Sequence, residues 1–267
     1  GLDPLGVPKK LSNTVFPFHY NNYDELLDLV NKQNIGVIKM EVVRNFDPEN
    51  DFLQKIRNLA TKKNIVLIFD ECTSGFRETF GGIFKKYNVE PDIAVFGKTM
   101  GNGYAITAVV GKKEVMEAAQ KTFISSTFWT ERIGPTAALK TLEVMERIKS
   151  WEIITRIGNK VRKNWMQLAD ENNLEINTYG LPAISFYSFS NNNLKYKTFI
   201  TQEMMKKGFL ASTNFYASIA HNDNFIDLYS DALSDVYKSI AQFEKGEKNI
   251  DDFLEGPVCH DGFYRLN

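Results

Sequence analysis

The chain has 267 residues, 43% of them hydrophobic and 24% charged, which is typical of a globular protein with one large domain or two smaller ones. The formal net charge of −1 leaves no surplus of lysine and arginine for binding nucleic acid or an anionic membrane. No apolar stretch approaches the roughly 18 residues of a membrane span. The two cysteines, Cys72 and Cys259, are too few for a disulfide scaffold at this length, so we expect a reduced, cytoplasmic chain.

In the first half of the chain, segments with helical spacing alternate with short apolar runs. Helices are expected over residues 23–33 and 51–63. The apolar runs, which predict β-strands, cover residues 35–43, 65–69, 92–96 and 105–110. Strands that alternate with helices predict an α/β sheet with right-handed crossovers. The unbroken run over 65–69 favours a parallel strand that is covered on both faces.

The second half is helical at first and then mixed. From Pro135 to about Asn172 two apolar stripes change phase near Trp151, which predicts two helices or one bent helix. The later segments predict a strand over 183–189, a helix over 196–207 that Gly208 closes, a short strand over 209–211 and a helix over 224–243. We therefore expect a large domain over residues 1–172 and a smaller α+β domain over residues 173–267.

Asp70 directly follows the apolar run over 65–69, and ligands of open α/β sheets bind at the carboxyl ends of the strands. Three roles fit an acid at that place: the Walker-B carboxylate of an ATPase, a partner for a pyridinium nitrogen, or a cap for the following loop. The ATPase role requires a Walker A loop, G-x-x-x-x-G-K-[ST]. Gly97-Lys98-Thr99 could end such a loop, but Asp92 replaces its first glycine and the loop follows the acidic strand. We therefore reject the ATPase role.

Lys98 follows the run over 92–96 and precedes a glycine-rich turn, so it would enter the same crevice as Asp70. Burial lowers the pKa of a lysine, and a neutral amine forms a Schiff base with an aldehyde. Taken alone, Lys98 is more simply interpreted as a solvated lysine in a glycine turn. Together, however, the two residues match the needs of pyridoxal 5′-phosphate (PLP): a carboxylate that keeps the ring nitrogen protonated, and an amine for the aldehyde and the α-proton.

Four motifs follow one another in this region: Phe69-Asp70-Glu71, Thr73-Ser74-Gly75-Phe76-Arg77, Pro91-Asp92-Ile93 and Gly97-Lys98. In this order they resemble the core of class III pyridoxal-phosphate aminotransferases, especially the glutamate-1-semialdehyde aminomutase branch. The resemblance extends from Gly6-Val7-Pro8 to the helix around Asp227. It implies an α/β protein of fold type I of the PLP-dependent transferases, with a partial large domain built on a mixed or parallel sheet and an α+β small domain.

The resemblance also implies roles for individual residues. By position, Lys98 is the catalytic lysine that forms the aldimine with PLP, and Asp70 is the partner of the ring nitrogen. Cys72 stands where the family usually has Val or Ile against a face of the ring. Ser126 and Thr127 resemble the pair that reaches the cofactor phosphate of the neighbouring subunit.

The implied reaction transfers an amino group between a small-molecule amino donor and an aldehyde or keto acceptor, in a homodimer with a shared active site. An aminomutase, which keeps the amino group on one carbon skeleton, stays open as an alternative. A catalytically silent, truncated chain also stays open, because the family's phosphate-binding loop and its following helix, which belong to an N-terminal portion, are not found in these 267 residues.

Other polar residues carry weaker expectations. Arg77 and Arg132 are candidates for a substrate carboxylate by family position and charge alone. Glu41 is expected to be structural, and His221 to be a hydrogen-bonded packing residue. No metal site is predicted, since Cys259 and His260 stand isolated from further ligands.

Overall fold

The computed structural model of the protein describes residues 5–43 and 45–261. These residues form two compact units. The first is Leu11–Glu152, and the second contains the described residues from Ile153 onward together with residues 5–10. In the described part of the chain, no helix is both long enough and apolar enough to cross a membrane.

A four-stranded sheet organises the first unit. Its strands are β1 (Val37–Glu41), β2 (Val66–Asp70), β3 (Ile93–Phe96) and β4 (Ala108–Gly111), and they lie in the order β1-β2-β3-β4. The first three strands are parallel and β4 pairs antiparallel with β3, so the sheet is mixed. The helices of this unit are α1 (Tyr23–Lys32), α2 (Phe52–Lys63), α3 (Phe84–Tyr87), α4 (Lys113–Met116) and α5 (Ile133–Ile148). The predicted alternation of strands and helices is confirmed.

The two faces of this sheet differ in burial. In β1 and β2, Ile38, Met40, Leu67 and Phe69 point to one face and are buried, and α2 packs against β2. The alternating residues of β2, including Ile68, are only half-buried, and Val37 on β1 is exposed. The expectation that β2 is covered on both faces is therefore wrong for the described residues. Burial on both faces was expected because all residues of the run over 65–69 are apolar, so the sequence does not distinguish the two faces of β2.

Asp92, the residue just before β3, connects several segments of the first unit through its carboxylate. Its Oδ2 accepts hydrogen bonds from the Leu67 N–H, at 2.8 Å, and from Arg57 of α2, at 2.9 Å. Its Oδ1 accepts one from Lys112 Nζ at 2.8 Å. Burial works to raise the pKa of Asp92, but these donors outweigh it and hold the pKa below its usual value. Asp92 thus fixes β2, α2 and the segment after β4 with one carboxylate.

The second unit packs helices on a three-stranded antiparallel sheet. Its elements are α6 (Ser150–Glu171), β5 (Ile176–Leu181), β6 (Ile184–Phe189), α7 (Asn193–Lys206), β7 (Asn214–Tyr216) and α8 (Asp223–Glu244), with α6 starting in the first unit. The sheet order is β5-β6-β7. Its core includes Trp165, whose indole N–H donates to the Tyr229 hydroxyl at 2.8 Å.

The predictions for this region are confirmed in most elements. Two helices cover 135–172, and Lys149 separates them in a left-handed conformation (φ 51°). Gly208 closes α7 with φ 86°, as expected of a residue that follows a helix end. The predicted strand over 209–211 is wrong: the third strand is β7, a few residues later, and the partner strand β5 was not predicted. The packing units divide at Glu152, and the domain boundary after residue 172 stays a prediction.

We predict that Asp92→Asn lowers the free energy of unfolding of the first unit by about 2–4 kcal/mol at neutral pH, because Arg57 loses its charged partner in a buried place. Since the folded-state pKa of Asp92 is lowered, its contribution is present above the unfolded-state pKa of about 3.9 and is lost as pH falls through the folded value. Urea unfolding followed by hydrogen exchange of the β2 and β3 amides measures this.

The matched control is Asp28→Asn, which breaks the exposed pair between Asp28 and Lys32 on α1. That variant should change the unfolding free energy by at most about 0.5 kcal/mol. Equal effects of the two substitutions would show that Asp92 does not hold the sheet together.

Candidate functional site

Asp70 is the last residue of β2, at the carboxyl end of the sheet. Its Oδ1 accepts the Cys72 N–H at 3.1 Å, and its Oδ2 accepts a hydrogen bond from Lys39 Nζ at 2.8 Å. Partial burial favours a higher pKa for Asp70, but the hydrogen bonds from Lys39 and from Cys72 overcome it and lower the pKa. Asp70 is therefore an ionised carboxylate at neutral pH.

Lys98 lies at the neighbouring strand end, two residues after β3, and opens a short 3-10 turn over Lys98–Met100. Its Nζ donates to the Thr73 hydroxyl at 2.7 Å. Its backbone has a φ of 34°, in the left-handed region that a residue with a side chain rarely adopts. A buried lysine was expected at this place, but Lys98 is exposed in the described structure.

Cys72 connects these two residues. Its backbone N–H binds Asp70, and its sulfur lies 3.3 Å from the place where a Cβ on Gly97 would stand. Burial raises the pKa of the Cys72 thiol, and the adjacent Asp70 carboxylate raises it further. The structure thus brings together Asp70, Cys72, Thr73 and Lys98, which we call the strand-end cluster.

The turn after Cys72 is tied closely to the loop that carries Lys98. The Thr99 hydroxyl donates to the Gly75 carbonyl at 2.8 Å. A Cβ on Gly75 would lie 2.7 Å from the Glu71 carbonyl oxygen and 2.8 Å from the Phe96 ring, so only glycine fits without a shift. Close packing therefore fixes the position of Thr73 relative to Lys98.

Arg77 also holds this turn. It is buried, and its Nε donates to the Thr73 carbonyl at 2.7 Å. The other arginine singled out in the sequence, Arg132, is exposed and stands just before α5. The structure therefore gives Arg77 a visible positioning contact, and leaves a role in substrate binding as a prediction for either residue.

Glu71 is a functional neighbour whose part the sequence did not reveal. It is almost fully buried, accepts the Ser74 hydroxyl at 2.5 Å and accepts the Phe84 N–H at 3.1 Å. Burial raises the pKa of this carboxyl group. Although Glu71 is next to Asp70 in sequence, its carboxylate binds Ser74 and Phe84 and so anchors the start of α3.

Ser126 and Thr127 lie in an exposed loop of the first unit. The Ser126 hydroxyl accepts the Phe128 N–H at 3.1 Å, within the loop itself. Among the described residues, no hydrogen bond joins Ser126 or Thr127 to the strand-end cluster. The same loop exposes large aromatic side chains, including Phe123 and Trp129. A role of Ser126 and Thr127 at a cofactor phosphate stays a prediction.

The remaining candidates take structural places. His221 accepts the Ser218 N–H at 3.0 Å on its Nδ1, and its ring lies against Phe215, so the expected packing role is confirmed. Within residues 5–43 and 45–261, no group of three or more His, Cys, Asp or Glu side chains could hold a metal ion. Lys39, which binds Asp70, was missed; its signal in the sequence was the single basic residue inside the apolar run over 35–43.

The sequence is also similar to proteins of a known family. Residues 44–215, more than half of the chain, match the family described as Aminotransferase class-III. The chain is 36% identical over 193 residues to a 3-aminobutyryl-CoA aminotransferase of Cloacimonas acidaminovorans, an alignment that covers 69% of this chain and 47% of that protein. It is 31% identical over 258 residues to a glutamate-1-semialdehyde 2,1-aminomutase of Sulfolobus acidocaldarius, covering 88% and 61% respectively. The chain thus spans about half to three-fifths of the lengths of these relatives.

Solved structures show the same fold. The FumI protein of Sphingopyxis sp. MTA144, in its PLP internal aldimine form, superimposes with a TM-score of 0.81 at 19% identity, over 90% of this chain and 61% of that one. An omega-transaminase of Sphaerobacter thermophilus gives 0.79 at 19% identity, over 89% and 60%. The predicted fold class, fold type I of the PLP-dependent transferases, is confirmed.

We predict that Gly75→Ala lowers the free energy of unfolding of the first unit by about 1–3 kcal/mol, because the added Cβ meets a backbone oxygen and an aromatic ring. The control is Gly36→Ala, where no atom lies within 4 Å of an added Cβ. Urea unfolding of both variants measures the difference. If Gly75→Ala were as stable as Gly36→Ala, the turn would be too loose to position Thr73.

Proposed function

Since the chain belongs to the class III aminotransferase family, we propose that it carries the lysine and the aspartate of a PLP-dependent aminotransferase that acts on a small-molecule amino donor and an aldehyde or keto acceptor. The observation that supports this is the strand-end cluster, in which Asp70 binds the Cys72 N–H and Lys98 binds the hydroxyl of the next residue, Thr73. An α/β sheet binds its ligands at this end of its strands.

The residues of the cluster fit the cofactor. Asp70 is an ionised acceptor whose Oδ2 keeps a lone pair beside Lys39. Among the described residues, the Lys98 amine donates a hydrogen bond only to the Thr73 hydroxyl, which an incoming aldehyde can displace. A Cβ at Gly97 would lie 3.3 Å from the Cys72 sulfur, so glycine leaves this space beside Cys72 unfilled. When bound, PLP supplies a ring that accepts electrons from the substrate carbon.

Each residue then has a defined task. Asp70 holds a proton at the ring nitrogen through its carboxylate, which stays ionised at neutral pH. Lys98 provides the amine that binds the aldehyde and later moves a proton to or from the substrate carbon. Thr73 holds the Lys98 Nζ in place before it reacts. Cys72 fixes the orientation of Asp70 through its backbone N–H and offers its side chain to a face of the ring.

We further propose a cytoplasmic homodimer in which Ser126 and Thr127 bind the cofactor phosphate of the neighbouring subunit. Support comes from their exposed loop and from the apolar side chains beside it, such as Phe123 and Phe128, which are 97% and 75% exposed. Hydroxyl and backbone N–H groups suit a phosphate. Sedimentation equilibrium with and without PLP tests the dimer, and a monomer at all concentrations would contradict it.

We predict that Lys98→Ala abolishes covalent retention of PLP after borohydride reduction and lowers transaminase activity at least about 100-fold, because the amine proposed to bind the aldehyde is removed. Intact-mass spectrometry reads the retained cofactor. Lys62→Ala, an exposed change near the end of α2, is the control and should retain the cofactor as the unchanged chain does. A protein that retains PLP equally without Lys98 would overturn the proposal.

An aminomutase is the second candidate, because the chain is 31% identical to a glutamate-1-semialdehyde 2,1-aminomutase over most of its length. The two reactions differ in their second substrate. A transaminase consumes an external keto acid in proportion to product, whereas an aminomutase forms product without it. A protein that binds no PLP and converts no amino donor would instead favour the catalytically silent alternative.

A further inference from the structure

A lysine from the neighbouring strand also reaches the strand-end cluster. Lys39 lies on β1, opposite Ile68 in the parallel register, while Glu41 lies opposite Asp70. The Lys39 side chain extends along the strand to the sheet end, where Nζ lies 2.8 Å from Asp70 Oδ2. Most of its side chain is exposed, at 59%, whereas Asp70 is only 21% exposed. The largely exposed Lys39 side chain is therefore paired with Asp70, the carboxylate proposed to bind the ring nitrogen.

The contacts of Asp70 leave little freedom to its side chain. The Cys72 N–H binds Oδ1, and Lys39 binds Oδ2. A carboxylate oxygen offers two lone pairs, so Oδ2 can accept the Lys39 ammonium and a ring N–H together. With one donor on each oxygen, the plane of the carboxylate is set before any ligand arrives, and pre-set geometry reduces what binding must order.

We propose that Lys39 is a positioning residue that orients Asp70 and keeps it ionised for the ring nitrogen of PLP. The role of Lys39 toward the ring nitrogen rests on the proposed function. The hydrogen bond between Lys39 and Asp70 does not depend on that function.

Other charged groups surround Asp70 and set the background against which Lys39 acts. Glu41 stands opposite Asp70 on β1, and Glu71 follows it in the chain. Lys98 follows Gly97, which packs close to the Cys72 sulfur. Of these groups, Lys39 is the one cation that donates a hydrogen bond to Asp70 in the described structure, and it is the charged side chain that lowers the Asp70 pKa.

The test is a pH titration of Asp70 in the cofactor-free chain. NMR of ¹³C-labelled aspartate carboxyl groups monitors it, and the signal that disappears in Asp70→Asn is assigned to Asp70. Lys39→Met should move the midpoint to higher pH, because the cation is gone while the aliphatic stem stays. Lys39→Arg should keep the midpoint near that of the unchanged chain. The effect of Lys39→Met should shrink in 1 M salt, where the Debye length is about 3 Å.

Lys32→Met is the matched control, since it removes the same charge from an exposed pair with Asp28. It should leave the Asp70 midpoint unchanged. Lys39→Gln provides a second neutral variant if Lys39→Met does not fold. An Asp70 midpoint that is the same in the neutral Lys39 variants and in the unchanged chain would overturn the proposal.

A separate measurement distinguishes this inference from the proposed function. Equilibrium dialysis with PLP shows whether the unchanged chain binds the cofactor. If it does not, the proposed function fails, while the Asp70 titration still decides whether Lys39 positions Asp70.

Discussion

The parallel pairing of β2 with β3 is the constraint on which the site depends. It places Asp70 beside Val95, so that the chain leaves both strands at the same edge and in the same direction. Backbone hydrogen bonds set this alignment, and Asp92 secures it by binding both the Leu67 N–H and Arg57. Without that alignment, Asp70 and Lys98 would be two polar residues at unrelated loop ends.

The short segments after the strands turn this alignment into a rigid arrangement. The turn that carries Thr73 is tied to the Lys98 loop by the Thr99 hydroxyl and is packed too closely at Gly75 for another residue. Glu71 fixes the same turn from its buried side. Chemistry that needs two groups at a defined separation is thus supported by packing and hydrogen bonds that do not take part in it.

The placement of Asp70 and Lys98 at neighbouring strand ends could be predicted, because each residue follows an apolar run and such runs can be recognised in the sequence. The Lys39 contact could not, since it joins residues on different strands and depends on their register. The short strand β7 was placed too early because the apolar residues around Leu210 read like a strand, whereas pairing with β6 selects Asn214–Tyr216. The exposure of Lys98 was also hidden, because burial depends on what covers a sheet end.

The left-handed backbone of Lys98 sets stability and chemistry against each other at one position. Asparagine and glycine adopt such a conformation more readily than lysine, so folding stability alone would favour either of them there. The chain tolerates the same disadvantage at Lys149 and Phe76, where φ is also positive. At Lys98, under the proposed function, relieving the backbone by such a replacement would remove the amine that binds the aldehyde.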